Sequence, residues 1–242
     1  MRILIFSDIH ANLTALEAVL MDSGTIDAAW CLGDLVGYGP DPNEVIQRVH
    51  DLPGLTCLLG NHDAASLNQI ATEAFNPEAR QAVHWTAKTL SGKSRSFLGK
   101  LPEKLVRNDV TLSHGSPRYP VWEYLLDTRT ATLNFEFFET PYCFVGHTHL
   151  PVMYNHDGNS SSARLSVPEP NMIIPLQWRT IINPGSVGQP RDRDPRASYA
   201  IYDPDTHQWE NRRIEYDIHS VQFRMKKANL PERHIQRIAA GW

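Results

Sequence analysis

The chain has only three cysteines in 242 residues, Cys31, Cys57 and Cys143, each inside an apolar run. An odd number of separated thiols builds no disulfide framework, so the expected setting is reducing, with the cytoplasm as the default. Long apolar runs are also missing. None approaches the ~20 residues that span a bilayer, so no membrane partner is expected. The opening stretch, Met1 to Phe6, runs straight into Ser7-Asp8-Ile9-His10 and reads as a first strand, not a secretory leader. Basic excess is absent: 23 Lys and Arg against 27 Asp and Glu give a net charge of −4. That balance argues against stable nucleic-acid binding, while a small anionic substrate held by metals remains compatible with it. Two catalytic signatures are lacking, the Gly-x4-Gly-Lys-Ser/Thr phosphate loop and His-Glu-x-x-His. Gly185-Ser186-Val187-Gly188 is not a nucleophile elbow, because Pro184 stands where the first glycine would be. What remains, 41% hydrophobic and 21% charged residues, is ordinary for a globular chain with a sizeable core.

Read in order, the chain alternates apolar runs with helical patterns. Arg2 to Ser7 is a strand ending at Asp8-Ile9-His10, and Asn12 can cap a helix through Asp22. Ala28 to Leu32 is a second strand, followed by Gly33-Asp34 and a turn too glycine-rich for helix. Asp41-Pro42-Asn43-Glu44 has the N-cap, first-turn proline and capping-box Glu of a helix running to about His50. Leu55 to Leu59 is a third strand, ending in Gly60-Asn61-His62-Asp63. Ser66 to Leu101 reads as helical. Val110 to Ser113 ends in His114-Gly115, a mostly helical insert covers Val121 to Glu139, and Tyr142 to Val145 leads into Gly146-His147-Thr148-His149. This is the pattern of a parallel sheet with crossover helices. Beyond Leu150 five runs read as antiparallel strands: 152–154, 173–178, 180–182, 198–202 and 208–214. Asn155 to Pro170 is an exposed loop by composition, and Asp217 to Gly241 forms two helices split at Leu230-Pro231.

The chemistry-bearing residues share one placement. Asp8, His10, Asp34, Asn61, His62, His114, His147 and His149 all follow the C-terminal ends of expected strands, where residues distant in sequence converge on one sheet edge. Imidazole, carboxylate and an Asn oxygen suit first-row divalent ions. Five of the eleven histidines occupy such ends, whereas His50, His84, His156, His207, His219 and His234 do not and read as surface or core.

The ordered set Asp8-Ile9-His10, Gly33-Asp34, Gly60-Asn61-His62-Asp63, His114-Gly115 and Gly146-His147-Thr148-His149 resembles the five motifs of the calcineurin-like metallophosphoesterases. Asn183-Pro184-Gly185-Ser186-Val187-Gly188 is similar to the small bacterial and archaeal phosphodiesterase branch. The resemblance implies an α/β fold of two packed mixed β-sheets flanked by helices. It further implies a single domain over residues 1–242, in which 216–242 form a C-terminal helical extension. It assigns Asp8, His10 and His149 to one metal and Asn61, His114 and His147 to a second, with Asp34 bridging both. The metals themselves stay open among Mn, Fe, Ni, Co and Zn. His62 is implied as the general acid beside a metal-bridging hydroxide, for a phosphodiester or nucleotide phosphoanhydride substrate. A protein phosphatase-like phosphomonoesterase and a non-catalytic metal-binding scaffold are the alternatives. Protein phosphatases resemble Gly-Asp-x-x-Asp-Arg-Gly after the bridging Asp, and this chain has Gly37-Tyr38-Gly39, so His62 must be oriented by another group, with Asp63 the candidate.

Substrate contacts are less defined. Arg191, Arg193 and Arg196 either hold phosphate oxygens or, with Asp192 and Asp194 between them, form a solvated self-paired loop, which is the simpler reading. Arg118 and Asn12 are further candidates, although an N-cap role already explains Asn12. Trp122 and Tyr124 fit either base stacking or, more simply, the core of the insert. The C-terminal helices could pack on the body, cover the site or pair with another chain.

Overall fold

The computed structural model describes residues 1–158 and 160–242, so the expected 155–170 loop lies outside the described residues at Asn159. The chain opens with β1 (Ile3–Phe6), α1 (Leu13–Ser23), β2 (Ala28–Cys31), α2 (Pro42–His50), β3 (Thr56–Cys57) and α3 (Asn61–Ser66). Helices α4 (Pro77–Thr89) and α5 (Gly92–Leu98) precede β4 (Lys104–Arg107) and β5 (Val110–Ser113). Then come α6 (Thr128–Asn134), a 3-10 turn at Phe135–Phe137, β6 (Tyr142–Phe144), β7 (Pro151–Asn155) and β8 (Arg164–Ser166). The chain closes with β9 (Ile173–Pro175), β10 (Thr180–Pro184), β11 (Ala197–Asp203), β12 (Gln208–Ile214), α7 (Ile218–Lys227) and α8 (Glu232–Ala240). Among the described residues, no helix is long and apolar enough to cross a membrane.

Two six-stranded mixed sheets form, in the orders β3-β2-β1-β11-β12-β9 and β4-β5-β6-β10-β7-β8. In the first sheet β1, β2 and β3 run parallel and β11 joins β1 antiparallel. In the second β5, β6 and β10 run parallel, with β4 antiparallel on β5 and β7 and β8 antiparallel beyond β10. Period-two alternation sorts the strand residues. Ile3 and Ile5 face the other sheet with Trp30, Leu112, Phe144, Ile182, Tyr202 and Trp209. Leu4 and Phe6 face outward, under Leu16 and Val19 of α1 and Val45 and Val49 of α2. On the outside of the second sheet, Cys143, Tyr154 and Ile181 pack under Ala131 and Phe135. The layers are therefore helix, sheet, sheet, helix, as the motif resemblance implied. All three cysteines are buried and free.

Local departures have local causes. The expected helix over 66–101 is broken because Pro77 fits only a first turn. Asn76 Oδ1 and Ser91 Oγ each accept a backbone N–H (2.9 and 3.1 Å) and open α4 and α5. Asp41 does not cap α2 with its side chain; its carboxylate receives Arg224 from α7 (3.0 and 2.9 Å) instead. The insert holds helix only over 128–137, and β8 lies inside the stretch read as loop. Strand β4 was invisible because its residues are half-buried or exposed, with charge at both ends. Helices α7 and α8 pack on the body: Val221, Met225, Ile235 and Ile238 meet Ala79, Val83 and Tyr38.

Candidate metal centre

Eight polar residues converge where the C-terminal ends of β1, β2, β3, β5 and β6 meet, and all eight are buried. The backbone leaves each strand abruptly. Asp8, His10, Asp34, His147 and His149 all have φ between 49° and 65°, the left-handed region that a non-glycine residue enters at a cost of about 1–3 kcal/mol. Such conformations persist because the surrounding hydrogen bonds hold them: Asp8 N–H donates to Gly33 O, and His10 N–H to Asp34 O (3.0 Å each). Close approach does the rest. A methyl group on Gly60 would overlap Asp34 Oδ1, and one on Gly37 (φ 93°) would lie 2.6 Å from His62 Nδ1.

Each candidate ligand is aimed by a partner on its far side. His10, His114 and His149 place Nδ1 against the carbonyls of Val36 (3.1 Å), Leu32 (2.9 Å) and Gln189 (2.5 Å). An Nδ1–H donated to a carbonyl leaves Nε2 as the lone-pair atom, the tautomer that a metal requires. The His147 N–H donates to Asp8 Oδ2 (3.0 Å) and the His62 N–H to Asp34 Oδ1 (2.9 Å). One oxygen of each carboxylate is thereby fixed and the other turned inward.

The inward atoms make two clusters that share one oxygen. In the first, His10 Nε2 and His149 Nε2 are 3.1 Å apart, with Asp8 Oδ1 at 3.8 and 3.3 Å and Asp34 Oδ2 3.7 Å from His10. In the second, His114 Nε2 lies 3.4 Å from Asp34 Oδ2 and 3.2 Å from Asn61 Oδ1, with His147 completing the group. Ligand atoms at about 2.1 Å from one ion stand about 3–3.5 Å from each other, so both clusters fit a divalent cation. Among the described residues, Asp8 Oδ1 and His147 Nε2 are buried without a hydrogen-bond partner, which a native core rarely tolerates. The electrostatics agree. Burial drives the His10 and His149 imidazoles far below their ordinary pKa, and His147 down to about 3, so all three are neutral donors. Burial also opposes charge on His114, yet the Asp34 carboxylate outweighs it and holds that imidazolium up at about 10. A proton there balances Asp34 in the way a metal would.

His62 sits beside these clusters, its ring against Tyr38 (4.4 Å), Phe75 (4.9 Å) and His10 (5.0 Å). Burial lowers its pKa to about 4, and Nδ1 has no partner. The expectation that Asp63 orients it is corrected: the Asp63 carboxylate accepts from Val36 N–H and Gly60 N–H (3.0 Å each) and ties two loops together. Packing and the Gly37 backbone position the ring.

The proposed substrate residues separate. Arg191 turns toward the centre: its Cζ is 5.9 Å from the Tyr38 ring, and its charge depresses His149 and His62. Arg196 pairs with Asp194 within that loop, whereas Asp192 receives Arg213 from β12, so the self-paired reading holds only for Arg196. Arg118 is paired with Glu123. Asn12 is engaged at both ends, accepting from Ala15 N–H and donating to Gly188 O (3.1 Å each). Trp122 and Tyr124 are not insert core, because both are exposed. Trp122 stands 5.2 Å from Phe75, and the Tyr124 ring covers His147 at 3.8 Å. Tyr124 was weighed as a stacking residue, whereas Tyr38, His234 and Arg237 were not singled out from the sequence. Only the i, i+3 spacing of His234 and Arg237 in an amphipathic helix could have pointed to the last two.

Two stacked mixed sheets carry carboxylate, amide and imidazole clusters that could hold metal at their shared edge, and the chain belongs to the calcineurin-like phosphoesterase superfamily, whose domain profile matches residues 1–207. More particularly, it is similar to a metallophosphoesterase from Sphaerobacter thermophilus, with 48% identity and a TM-score of 0.92 over 100% of this chain and 99% of that one. A protein of Methanocaldococcus jannaschii is 38% identical across 99% of this chain and 98% of its own length. A structure from Pyrococcus horikoshii shares the fold at 21% identity and a TM-score of 0.80, over 100% and 98% of the two chains.

Proposed function

We propose that the protein is a dinuclear metal-dependent hydrolase of phosphodiester or nucleotide phosphoanhydride bonds, acting as one domain over residues 1–242 in the cytoplasm. The observation that carries this reading is the pair of donor clusters sharing Asp34 Oδ2. Asp8, His10 and His149 would hold one cation, Asn61, His114 and His147 the other, with Asp34 between them. The cations supply positive charge that acidifies water and neutralises phosphate oxygens, the largest single need of phosphoryl transfer.

The chain's own groups do the remainder. His62 stands within reach of an ester bound at the clusters and donates a proton to the departing oxygen. Its imidazole is neutral in the buried pocket, and an arriving phosphate anion raises its proton affinity. The Arg191 guanidinium receives a phosphate oxygen. Tyr38, Phe75 and Tyr124 exclude water from the sides. The phosphoprotein alternative is weakened by Gly37-Tyr38-Gly39, which lacks an arginine where protein phosphatases carry one, and by an aromatic rim that narrows the entrance.

The test is hydrolysis by protein loaded with Mn, Fe, Ni, Co or Zn, on an aryl phosphodiester, an aryl phosphomonoester and a dinucleotide panel. The expected order is diester or anhydride above monoester. His62→Gln should lose about 10²–10⁴-fold in kcat at unchanged metal content. The second readout matters because His62 also lies close enough to His10 and Asp34 to be a ligand. Absence of turnover with every metal would leave the scaffold reading, and a dominant monoester activity would support the phosphatase one.

A further inference from the structure

Arg191 stands beside the candidate centre and Arg237 on α8, the helix packed against Tyr38, and among the described residues neither has a carboxylate within ion-pair distance. Arg191 donates to Gln189 Oε1 (3.0 Å), and its Nε is buried without a partner. Arg237, on α8, rests on the Trp242 ring at 5.3 Å, and its Nε is buried without a partner as well. The two sense each other: burial lowers the Arg237 pKa, and the Arg191 charge lowers it further. The arrangement is fixed by the fold, because Arg193 N–H donates to Gly241 O (2.6 Å), tying the end of α8 to the loop that carries Arg191.

One turn before Arg237, His234 lies on the same helix face. It is 1% exposed, and among the described residues neither ring nitrogen makes a hydrogen bond of good geometry, with the Glu78 backbone as a weak acceptor nearby. Its ring packs at a tilt against Tyr38 at 4.4 Å, and Tyr38 also meets His62 at 4.4 Å. Two half-buried like charges, each with a buried Nε that has no partner among the described residues, repel each other beside a buried imidazole, and an anion joining them would relieve that cost. Guanidinium forks match the tetrahedral oxygens of phosphate.

We propose that Arg191, Arg237 and His234 form an anion subsite for a second, non-reacting phosphate, so that the substrate carries at least two linked phosphates. This rests on the phosphoesterase reading and narrows it to the phosphoanhydride class, in which the group leaving past His62 is itself a phosphate. Helix α8 then belongs to the substrate site and is more than a packing extension.

The test compares kcat/KM of the manganese-loaded full chain for a dinucleoside diphosphate and for bis(p-nitrophenyl) phosphate, which has a single phosphorus. Arg237→Ala should cost about 10–100-fold on the diphosphate, the loss expected for charged hydrogen bonds, and at least tenfold less on the single-phosphorus ester. Arg237→Lys should fall between wild type and Arg237→Ala, and Arg237→Glu should be worse than both. Equal losses on the two substrates, or none, would overturn the proposal while leaving the phosphoesterase reading intact. A second readout needs no turnover: calorimetric titration of the chelator-treated full chain with inorganic pyrophosphate. Binding that weakens tenfold or more in Arg237→Ala, with melting temperature retained, supports the subsite; equal binding, or none by the wild type, rejects it.

Discussion

His62 and His234 are both buried imidazoles in contact with Tyr38, and burial keeps each uncharged, at about 4 and about 3. For His234 the cause is desolvation first and the Arg237 charge second. The sign follows. Between about 3 and the unfolded value of about 6.5, only the unfolded chain binds that proton, so stability rises with pH across this window and is fully present above it. His234→Gln removes the titration without introducing a charge. On acidification from about pH 6.5 to pH 5, the chelator-treated variant should lose about 2 kcal/mol less stability than the wild type, measured by urea unfolding at each pH. Parallel losses in both proteins would mean that His234 is protonated or solvated in the folded chain.

At the scale of elements, the centre is a set of strand ends followed by strained turns. The positions of Asp8, His10, Asp34, Asn61, His62, His114, His147 and His149 were legible because a buried strand shows as an apolar run and its exit as polar residues or glycine. The cover over them was not. Tyr38, Tyr124 and α8 reach the site through long-range packing, and no local pattern in the sequence encodes which face a glycine-rich turn presents. Asp63 illustrates the limit. Its proximity to His62 in sequence suggested an orienting bond, but as the third residue of α3 its carboxylate points back to Gly60 N–H and Val36 N–H. Asp41 fails for a related reason, since Arg224 from far along the chain outcompetes the local cap. The turn at Gly60 gives the element-scale prediction. Gly60→Ala must displace the Asp34 carboxylate, so the variant should lose about 1–3 kcal/mol of stability and at least one bound metal. Normal melting together with full metal content would show that the turn has room for a methyl group.

At the scale of the whole molecule, the centre joins the two sheets. Asp8, His10, Asp34, Asn61 and His62 come from one, His114, His147 and His149 from the other. The strand-connecting segment after β10 fastens them: Ser186 Oγ and Gly188 N–H donate to Asp8 O (2.8 and 3.0 Å), and Asn183 Nδ2 to Gly146 O (2.6 Å). The layer order was legible from alternating runs and the motif set, whereas β4 and β8, being short and polar, were not. The same arrangement fixes what the centre requires. Two donor groups share one carboxylate oxygen, Asp34 Oδ2, so two cations should bind and depend on each other through Asp34. The most direct measurement is the metal content of manganese- or zinc-loaded protein, with the metal–metal distance from X-ray absorption, for wild type and Asp34→Asn. Two ions per chain at about 3.5–4 Å in the wild type, and no such pair in Asp34→Asn, is the predicted result. A single ion per chain in fully active wild type, or an intact pair in Asp34→Asn, would contradict it.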